Sequence, residues 1–138
     1  MYLVVDPNVI ISALITKGNS SEVFSLNFIL EKFVLIAPNF LIIELGNHTE
    51  KIMKKTRLSQ DAIKETLELV LSQITFISEE EFKDKRDEAK RILQKHEKDS
   101  PYLALALAFN CKIFSGDKTL KTIIPDKVVT PKELLDEF

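Results

Sequence analysis

The fold is decided by residues 99–121, which read DSPYLALALAFNCKIFSGDKTLK. Tyr102–Asn110 combines apolar side chains with helical spacing, and we predict a helix there. Lys112–Ser115 is a β-rich run too short for a helix, and we predict a strand. An acid stands at each end of this unit, since Asp99 precedes the helix and Asp117 follows the strand. The stretch therefore predicts a helix that leads into a strand, with a carboxylate on either side.

The rest of the chain repeats this alternation of strands and helices. We predict five strands, at Tyr2–Val5, Phe33–Ala37, Ile74–Ile77, Lys112–Ser115 and Lys127–Val129. We predict helices at Val9–Ile15, Glu22–Leu30, Asn39–Lys55, Gln60–Ser72, Glu80–Glu97 and Tyr102–Asn110. Ser100 can act as an N-cap before Pro101, and a capping box of Thr130 and Glu133 opens a last short helix. The alternation predicts an α/β fold, a single-domain α/β/α sandwich over residues 1–138 with a mostly parallel sheet of about five strands.

Composition and charge are those of an ordinary globular chain. The 138 residues are 45% hydrophobic and 29% charged, which argues against a disordered or membrane-spanning protein. A net charge of −2 neither indicates nor excludes nucleic-acid binding, because local patches matter more than the total. The single Cys111 cannot close an intrachain disulfide, and no signal peptide precedes Asp6 and Pro7, so we expect a cytoplasmic protein. Three glycines are too few for a dinucleotide fingerprint or a P-loop.

Four acids are predicted to converge at one edge of this sheet. In open parallel sheets, ligands bind beyond the carboxyl ends of the strands, where helix N-termini also meet. Asp6 ends the first strand, and Asp117 lies just past the fourth. Asp99 precedes the helix that feeds the fourth strand, and Glu44 lies within the helix that leaves the second. The topology therefore predicts a cluster of carboxylates from distant parts of the chain.

Each acid also has an explanation that involves no site. Asp6 before Pro7 is a common start of a turn, and Asp117 after a glycine is an ordinary loop residue. Asp99 alone would be explained by the positive end of the helix dipole. Glu44 is the hardest to explain in this way, because a carboxylate on an apolar helical face must stay at the surface, find partners or shift its pKa. The four acids together favour a functional site.

The clustering has an electrostatic consequence, because acids gathered closely raise one another's pKa values unless a cation neutralises them. Oxygen ligands alone are what Mg²⁺ and Mn²⁺ prefer, whereas zinc favours histidine or cysteine. The two histidines, His48 and His96, form no ligand pair, and the charged segment around His96 is typical of a solvated surface. The pattern therefore predicts a hard divalent cation.

These segments resemble the PIN domain, the compact metal-dependent nuclease fold of VapC-type toxins and of RNA-processing enzymes. Residues 99–121 are similar to the third and fourth acid motifs of that family, and the resemblance covers nearly the whole chain. The opening LVVDPNVIISALI is similar to the first motif, with Asp6 as its acid and Asn8 two residues on. Glu44 in PNFLIIELGN matches the second motif.

The resemblance implies a Mg²⁺- or Mn²⁺-dependent endoribonuclease that hydrolyses phosphodiester bonds of mostly single-stranded RNA. The metal ligands and catalytic residues would be Asp6, Glu44, Asp99 and Asp117, which would hold one or two ions. Asn8 and Ser115 would orient these ligands or their waters. Thr119 would lie beside them, at a position where many relatives carry a further acid, so we expect one ion in the resting state.

Substrate binding needs positive charge near the acids. Glu44, His48, Lys51 and Lys55 are spaced to share one helical face. Lys51 and Lys55 are therefore predicted to bind nucleic-acid phosphates. The alternative that these lysines and Arg57 only complement the negative end of their own helix stays open.

Other segments are predicted to be structural. Residues 79–99 are mixed in charge, and we predict a solvated helical face with internal ion pairs and no nucleic-acid binding. The phenylalanines lie mostly in apolar runs and are predicted to be core, so they identify no stacking site for RNA. Ile63, Leu67, Val70 and Leu71 have the spacing of ordinary core packing, although such helices also form dimer contacts in the PIN family.

The resemblance also implies partners, namely RNA, a second copy of the chain in a homodimer, and a small antitoxin if the protein is the toxin of a toxin–antitoxin pair. The alternative is a catalytically weak or inactive PIN scaffold that binds RNA or a protein. A haloacid-dehalogenase-type phosphatase is disfavoured, because it needs a second Asp where Asn8 stands. A receiver domain is disfavoured because Ile77 and Ser78 supply no phosphoacceptor Asp.

Overall fold

The computed structural model describes residues 1–55 and 59–138, without the side chain of Lys55. The strands are β1 (Tyr2–Val5), β2 (Val34–Pro38), β3 (Ile74–Ile77), β4 (Lys112–Phe114) and β5 (Val128–Val129). The helices are α1 (Pro7–Ile15), α2 (Asn19–Leu30), α3 (Phe40–Lys55), α4 (Gln60–Leu71), α5 (Arg86–Leu93), α6 (Ser100–Phe109), α7 (Lys118–Ile123) and α8 (Pro131–Leu135). Short 3₁₀ turns lie at Glu79–Glu81, Lys83–Lys85, Gln94–Asp99 and Pro125–Lys127.

The sheet is parallel throughout, with the spatial order β3, β2, β1, β4, β5. Strand β1 is central, and its Val4 lies opposite Ile36 of β2 and Ile113 of β4. Helices flank the sheet, which confirms the predicted α/β sandwich. All strands point the same way, so their carboxyl ends share one edge. The chain order reverses between β1 and β4, and such a switch point opens a crevice at that edge.

Helix α6 is embedded in the core. Its buried residues are Ser100, Tyr102, Leu103, Ala104, Leu105 and Ala106. The alternating alanines have little volume, so the helix can approach the sheet closely and the larger leucines fill the remaining space. This packing fixes the start of α6, and with it Asp99, relative to the strands.

The prediction of one helix over Glu80–Glu97 is wrong. The segment consists of two 3₁₀ turns, then α5, and then a third 3₁₀ stretch that begins at Gln94 with a φ of 50°. Only Phe82, Ala89 and Leu93 are buried, too few to hold a continuous helix against the core. The predicted ion pairs are present, since Glu80 and Lys83 lie 2.8 Å apart and Arg86 pairs with Glu79.

Two further details differ from the sequence prediction. Helix α7 was not predicted, because its six residues are too few to show a helical period. Helix α6 begins at Ser100 itself, so its N-cap is Asp99, whose side chain makes no capping hydrogen bond. The predicted capping box of Thr130 and Glu133 is confirmed.

Across the part of the chain that the structure describes, no helix combines the length and apolar character needed to cross a membrane.

The expected core packing of α4 is confirmed, since Ile63 and Val70 are buried and Leu67 and Leu71 pack against the core.

We predict that Leu103→Ala lowers the free energy of unfolding by roughly 2–5 kcal/mol, because it leaves a cavity in a closely packed helix. Leu30→Ala is the matched control, since Leu30 is 58% exposed and its truncation should change stability by less than about 0.5 kcal/mol. Urea unfolding followed by circular dichroism measures both. Equal losses in the two variants would contradict the assignment of α6 to the core.

Candidate active site

Asp6 occupies the crevice at the carboxyl end of β1. It is the N-cap of α1, and its Oδ1 accepts a hydrogen bond from the backbone N of Asn8 at 3.3 Å. Its exposed fraction is only 6%, whereas Glu44, Asp99 and Asp117 are half-buried. Pro7 occupies the first turn of α1, where the missing N–H is not needed. The Asp-Pro pair therefore starts a helix and also places a carboxylate where the sheet ends.

A polar network joins the end of β1 to the end of β4. The Ser115 hydroxyl donates to Asp6 Oδ2 at 2.6 Å, and Asn8 Nδ2 donates to Ser115 Oγ at 3.3 Å. The backbone N–H of Asp117 donates to Ser115 Oγ at 3.0 Å, and that of Gly116 donates to Asn8 Oδ1 at 3.2 Å. These contacts support the predicted orienting role of Asn8 and Ser115, which stays a prediction.

Asp117 is held by the start of α7. Its Oδ1 accepts hydrogen bonds from the backbone N–H groups of Thr119 at 2.9 Å and Leu120 at 3.1 Å. Both bonds go to one oxygen, so Oδ2 accepts none from the described residues and can turn to another partner. Thr119, predicted to assist the acids, meets Asp117 through its backbone and is exposed at the surface.

Tyr102, which was not predicted from the sequence, fixes Glu44. The buried Tyr102 hydroxyl donates to Glu44 Oε1 at 2.5 Å and so ties α6 to α3. Burial, with the neighbouring negative charges of Glu44 and Asp6, raises the pKa of Tyr102, so its hydroxyl keeps the proton and remains a donor. Tyr102 follows Asp99 by three residues, which puts both on one side of α6. The signal in the sequence was a tyrosine three residues after Asp99, in a helix otherwise made mostly of alanines and leucines.

Asp99 lies close to the other acids. Burial raises its pKa most, and the charges of Asp117 and Glu44 raise it further. Lys98 and His96 act in the opposite direction. Asp99 is therefore within electrostatic range of acids from two other elements, as the topology predicts.

The pKa of Asp6 is raised mainly by burial, and the neighbouring acids raise it further. Burial raises its pKa to about 6, hydrogen bonds from Ser115 and Asn8 offset part of the rise, and the charges of Asp99 and Asp117 add to it. The four predicted acids thus act on one another at one edge of the sheet. Gathering them there is electrostatically unfavourable unless positive charge is supplied.

The donor set suits a hard divalent cation. All four groups offer carboxylate oxygen, and Mg²⁺ and Mn²⁺ prefer such ligands. Within residues 1–55 and 59–138, however, no three acidic, histidine or cysteine side chains are already close enough to hold one ion together. The charge and chemistry fit a metal, and the carboxylates would have to be drawn together by it.

Of the two predicted phosphate-binding lysines, the structure describes the side chain of Lys51. Lys51 lies exposed on α3, and the cations that act on Asp99 are Lys98 and His96. The side chain of Lys55 and the whole of Arg57 lie outside the described residues. Binding by Lys51 and Lys55 therefore stays a prediction.

We predict that the protein without metal loses stability as pH rises from about 4 to about 6 because of Asp6. The folded state holds the Asp6 proton up to about pH 6, whereas the unfolded chain releases it near 3.8, so stability falls through that window. The loss approaches about 3 kcal/mol at neutral pH. The Asp6→Asn variant should lack this pH-dependent loss. Its free energy of unfolding, measured by chemical unfolding, should therefore rise with pH relative to that of wild type. The exposed Asp84→Asn should follow wild type, and a parallel course for all three would contradict the burial of the Asp6 charge.

Comparison with known proteins gives two findings about this chain. The sequence model of the PIN domain matches residues 4–124. The fold is similar, with a TM-score of 0.69, to that of a chain in a crystal structure of VapBC2 from Rickettsia felis. That structure was determined with a bound DNA fragment from the VapBC2 promoter. That likeness covers 94% of this chain and 98% of the other at 14% identity, which shows the fold alone. No curated protein sequence matches the chain. Membership of this family supports a nuclease as the kind of enzyme. Because the family match spans most of its length, the chain belongs to the PIN domain family.

Proposed function

We propose that the protein is a Mg²⁺- or Mn²⁺-dependent endoribonuclease. The observation that carries this proposal is the burial of Asp6 at the sheet edge beside other acids, which raises its pKa to about 6. A protein gains nothing in stability from such an arrangement, because each carboxylate raises the cost of ionising its neighbours. Strongly perturbed pKa values of this kind cluster at functional sites.

Asp6, Glu44, Asp99 and Asp117 are the proposed ligands of the cation. When bound, a divalent ion supplies charge neutralisation and makes water more acidic, so that water can hydrolyse a phosphodiester without a protein nucleophile. Ser115 and Asn8 hold Asp6, Tyr102 holds Glu44, and the first turn of α7 holds Asp117. The chain therefore orients three of the four carboxylates before substrate arrives. One ion is the proposed resting state, because Thr119 brings no further carboxylate.

RNA is the proposed substrate, with Lys51 and Lys55 as candidate phosphate contacts. A small antitoxin is a proposed partner, because the similar Rickettsia felis chain was crystallised within VapBC2. A homodimer is proposed as well, as the resemblance to the PIN family implies.

A catalytically weak scaffold is the second candidate. It is favoured by one observation, that no three potential ligands among the described residues already share an ion-sized site. A scaffold of this kind would bind RNA or a protein without cutting it.

We predict that wild-type protein cleaves mixed single-stranded RNA in Mn²⁺ and that Asp6→Asn lowers the rate at least about a hundredfold, because a metal ligand is lost. Gel analysis of labelled RNA measures cleavage, and calorimetry with Mn²⁺ measures binding separately. Asp84→Asn is the control and should match wild type. Cleavage that persists in Asp6→Asn and in a chelator would contradict the nuclease proposal, and absence of Mn²⁺ binding to wild type would favour the scaffold.

We predict that Tyr102→Phe weakens Mn²⁺ binding about tenfold, because Glu44 loses the group that orients it. Tyr2→Phe is the matched control, since Tyr2 lies at the opposite edge of the sheet and is 45% exposed. Calorimetry in the Glu44→Gln background sharpens the test. There the removal of the Tyr102 hydroxyl should have no further effect on Mn²⁺ affinity, and an equal loss in both backgrounds would show that Tyr102 does not act through Glu44.

A further inference from the structure

A groove lies beside the acid cluster and is not used by the proposed chemistry. Two adjoining cavities, of about 440 and 240 Å³, share Phe40, Arg86 and Pro101 in their walls. We call this feature the Phe40 groove. It runs between the start of α3, the start of α5 and the start of α6, and the sequence analysis assigned no binding to this region.

The Phe40 groove is adjacent to the acids through two elements. Phe40 precedes Glu44 by four residues on α3, which places both on the same face of that helix. Pro101 and Lys98, both in the groove wall, flank Asp99 in the sequence. Lys98 directly precedes Asp99 in the sequence, so this cation lies near the cluster. A strand leaving the acids in this direction would enter the groove.

The walls carry an exposed aromatic ring. Phe40 is 44% exposed, whereas Phe24, Phe33, Phe82 and Phe114 are buried, so the ring is held at the surface without filling the core. Exposed aromatic rings beside cationic side chains are the surface on which single-stranded nucleic acids stack their bases.

The walls also carry cationic side chains. Lys90 and Lys98 are exposed, and neither forms an ion pair within the portion of the chain that is described. Arg86 is neutralised by Glu79, yet its Nε is buried and finds no hydrogen-bond partner among the described residues. Glu97 at the rim is negative, so the groove is not uniformly basic. Two free lysines suit contact with a few backbone phosphates.

We infer that the Phe40 groove binds single-stranded RNA next to the scissile phosphate, with a base stacked on Phe40 and backbone phosphates against Lys90 and Lys98. This inference rests on the proposed ribonuclease function and adds a substrate site to it. It shifts the main phosphate contacts from Lys51 to Lys90 of α5 and Lys98 of the 3₁₀ stretch before α6. Stacking on one ring and two charge contacts imply recognition that tolerates many base sequences.

Fluorescence anisotropy with a labelled oligouridine of about 12 nucleotides tests the groove, in a chelator so that no cleavage occurs. Phe40→Leu should weaken binding roughly fivefold or more, because the stacking surface is lost. The same variant should bind an abasic oligonucleotide as wild type does. Lys90→Gln combined with Lys98→Gln should lower the slope of log affinity against log salt by about 1.4, since each phosphate contact contributes about 0.7 for single strands.

Lys17→Gln combined with Lys112→Gln is the charge-matched control, because both lysines are exposed and Lys112 opens β4 at the opposite edge of the sheet. Its salt slope should stay at the wild-type value, and thermal unfolding should show all variants folded. The inference is overturned if wild type does not bind the oligonucleotide, if Phe40→Leu loses as much affinity for the abasic strand, or if the two double variants behave alike. A groove reserved for a protein partner would give the last result.

The outcome is separable from that of the ribonuclease proposal. If wild type binds RNA through the groove but does not cleave it, the nuclease proposal is rejected and the binding site in the groove is retained. Metal-dependent cleavage with binding indifferent to Phe40, Lys90 and Lys98 would reject the groove and keep the nuclease.

Discussion

Burial of the ionised Asp6 carboxylate is the constraint on which the site depends, and repulsion from Asp99 and Asp117 adds to its cost. The parallel sheet creates the crevice, because the chain order reverses between β1 and β4 at the edge where all strands end. Hydrogen bonds from Ser115 and Asn8 reduce the cost of the charge without removing it. A cation at this edge would relieve the repulsion, and that relief can connect metal binding to folding stability.

Many of the polar contacts near the sheet edge hold the acids in place. Ser115 and Asn8 hold Asp6, Tyr102 holds Glu44 across two helices, and the backbone of α7 holds Asp117. These holders come from elements on both sides of β1, so the orientation of the carboxylates depends on the whole fold. Asp99 differs, because its position follows from the packing of α6. The stability of the core and the geometry of the site are therefore linked.

The sequence was sufficient to predict the strands and the convergence of acids, because both follow from local pattern and topology. β1 and β3 have the predicted bounds. Short β-rich runs between helices favour strands of a parallel sheet. The region from Glu79 to Asp99 could not be predicted, since its turns are set by a few contacts with the core. Tyr102 was missed for a related reason. Its contact with Glu44 depends on burial, which a single sequence does not report.

We propose that the acids of this PIN domain share a divalent cation. Anomalous diffraction from a crystal grown with Mn²⁺ would locate that ion. We expect an anomalous peak coordinated by Asp6 and by at least one of Glu44, Asp99 and Asp117. A peak elsewhere, or an edge in which Lys98 pairs with these carboxylates and no ion is bound, would contradict it.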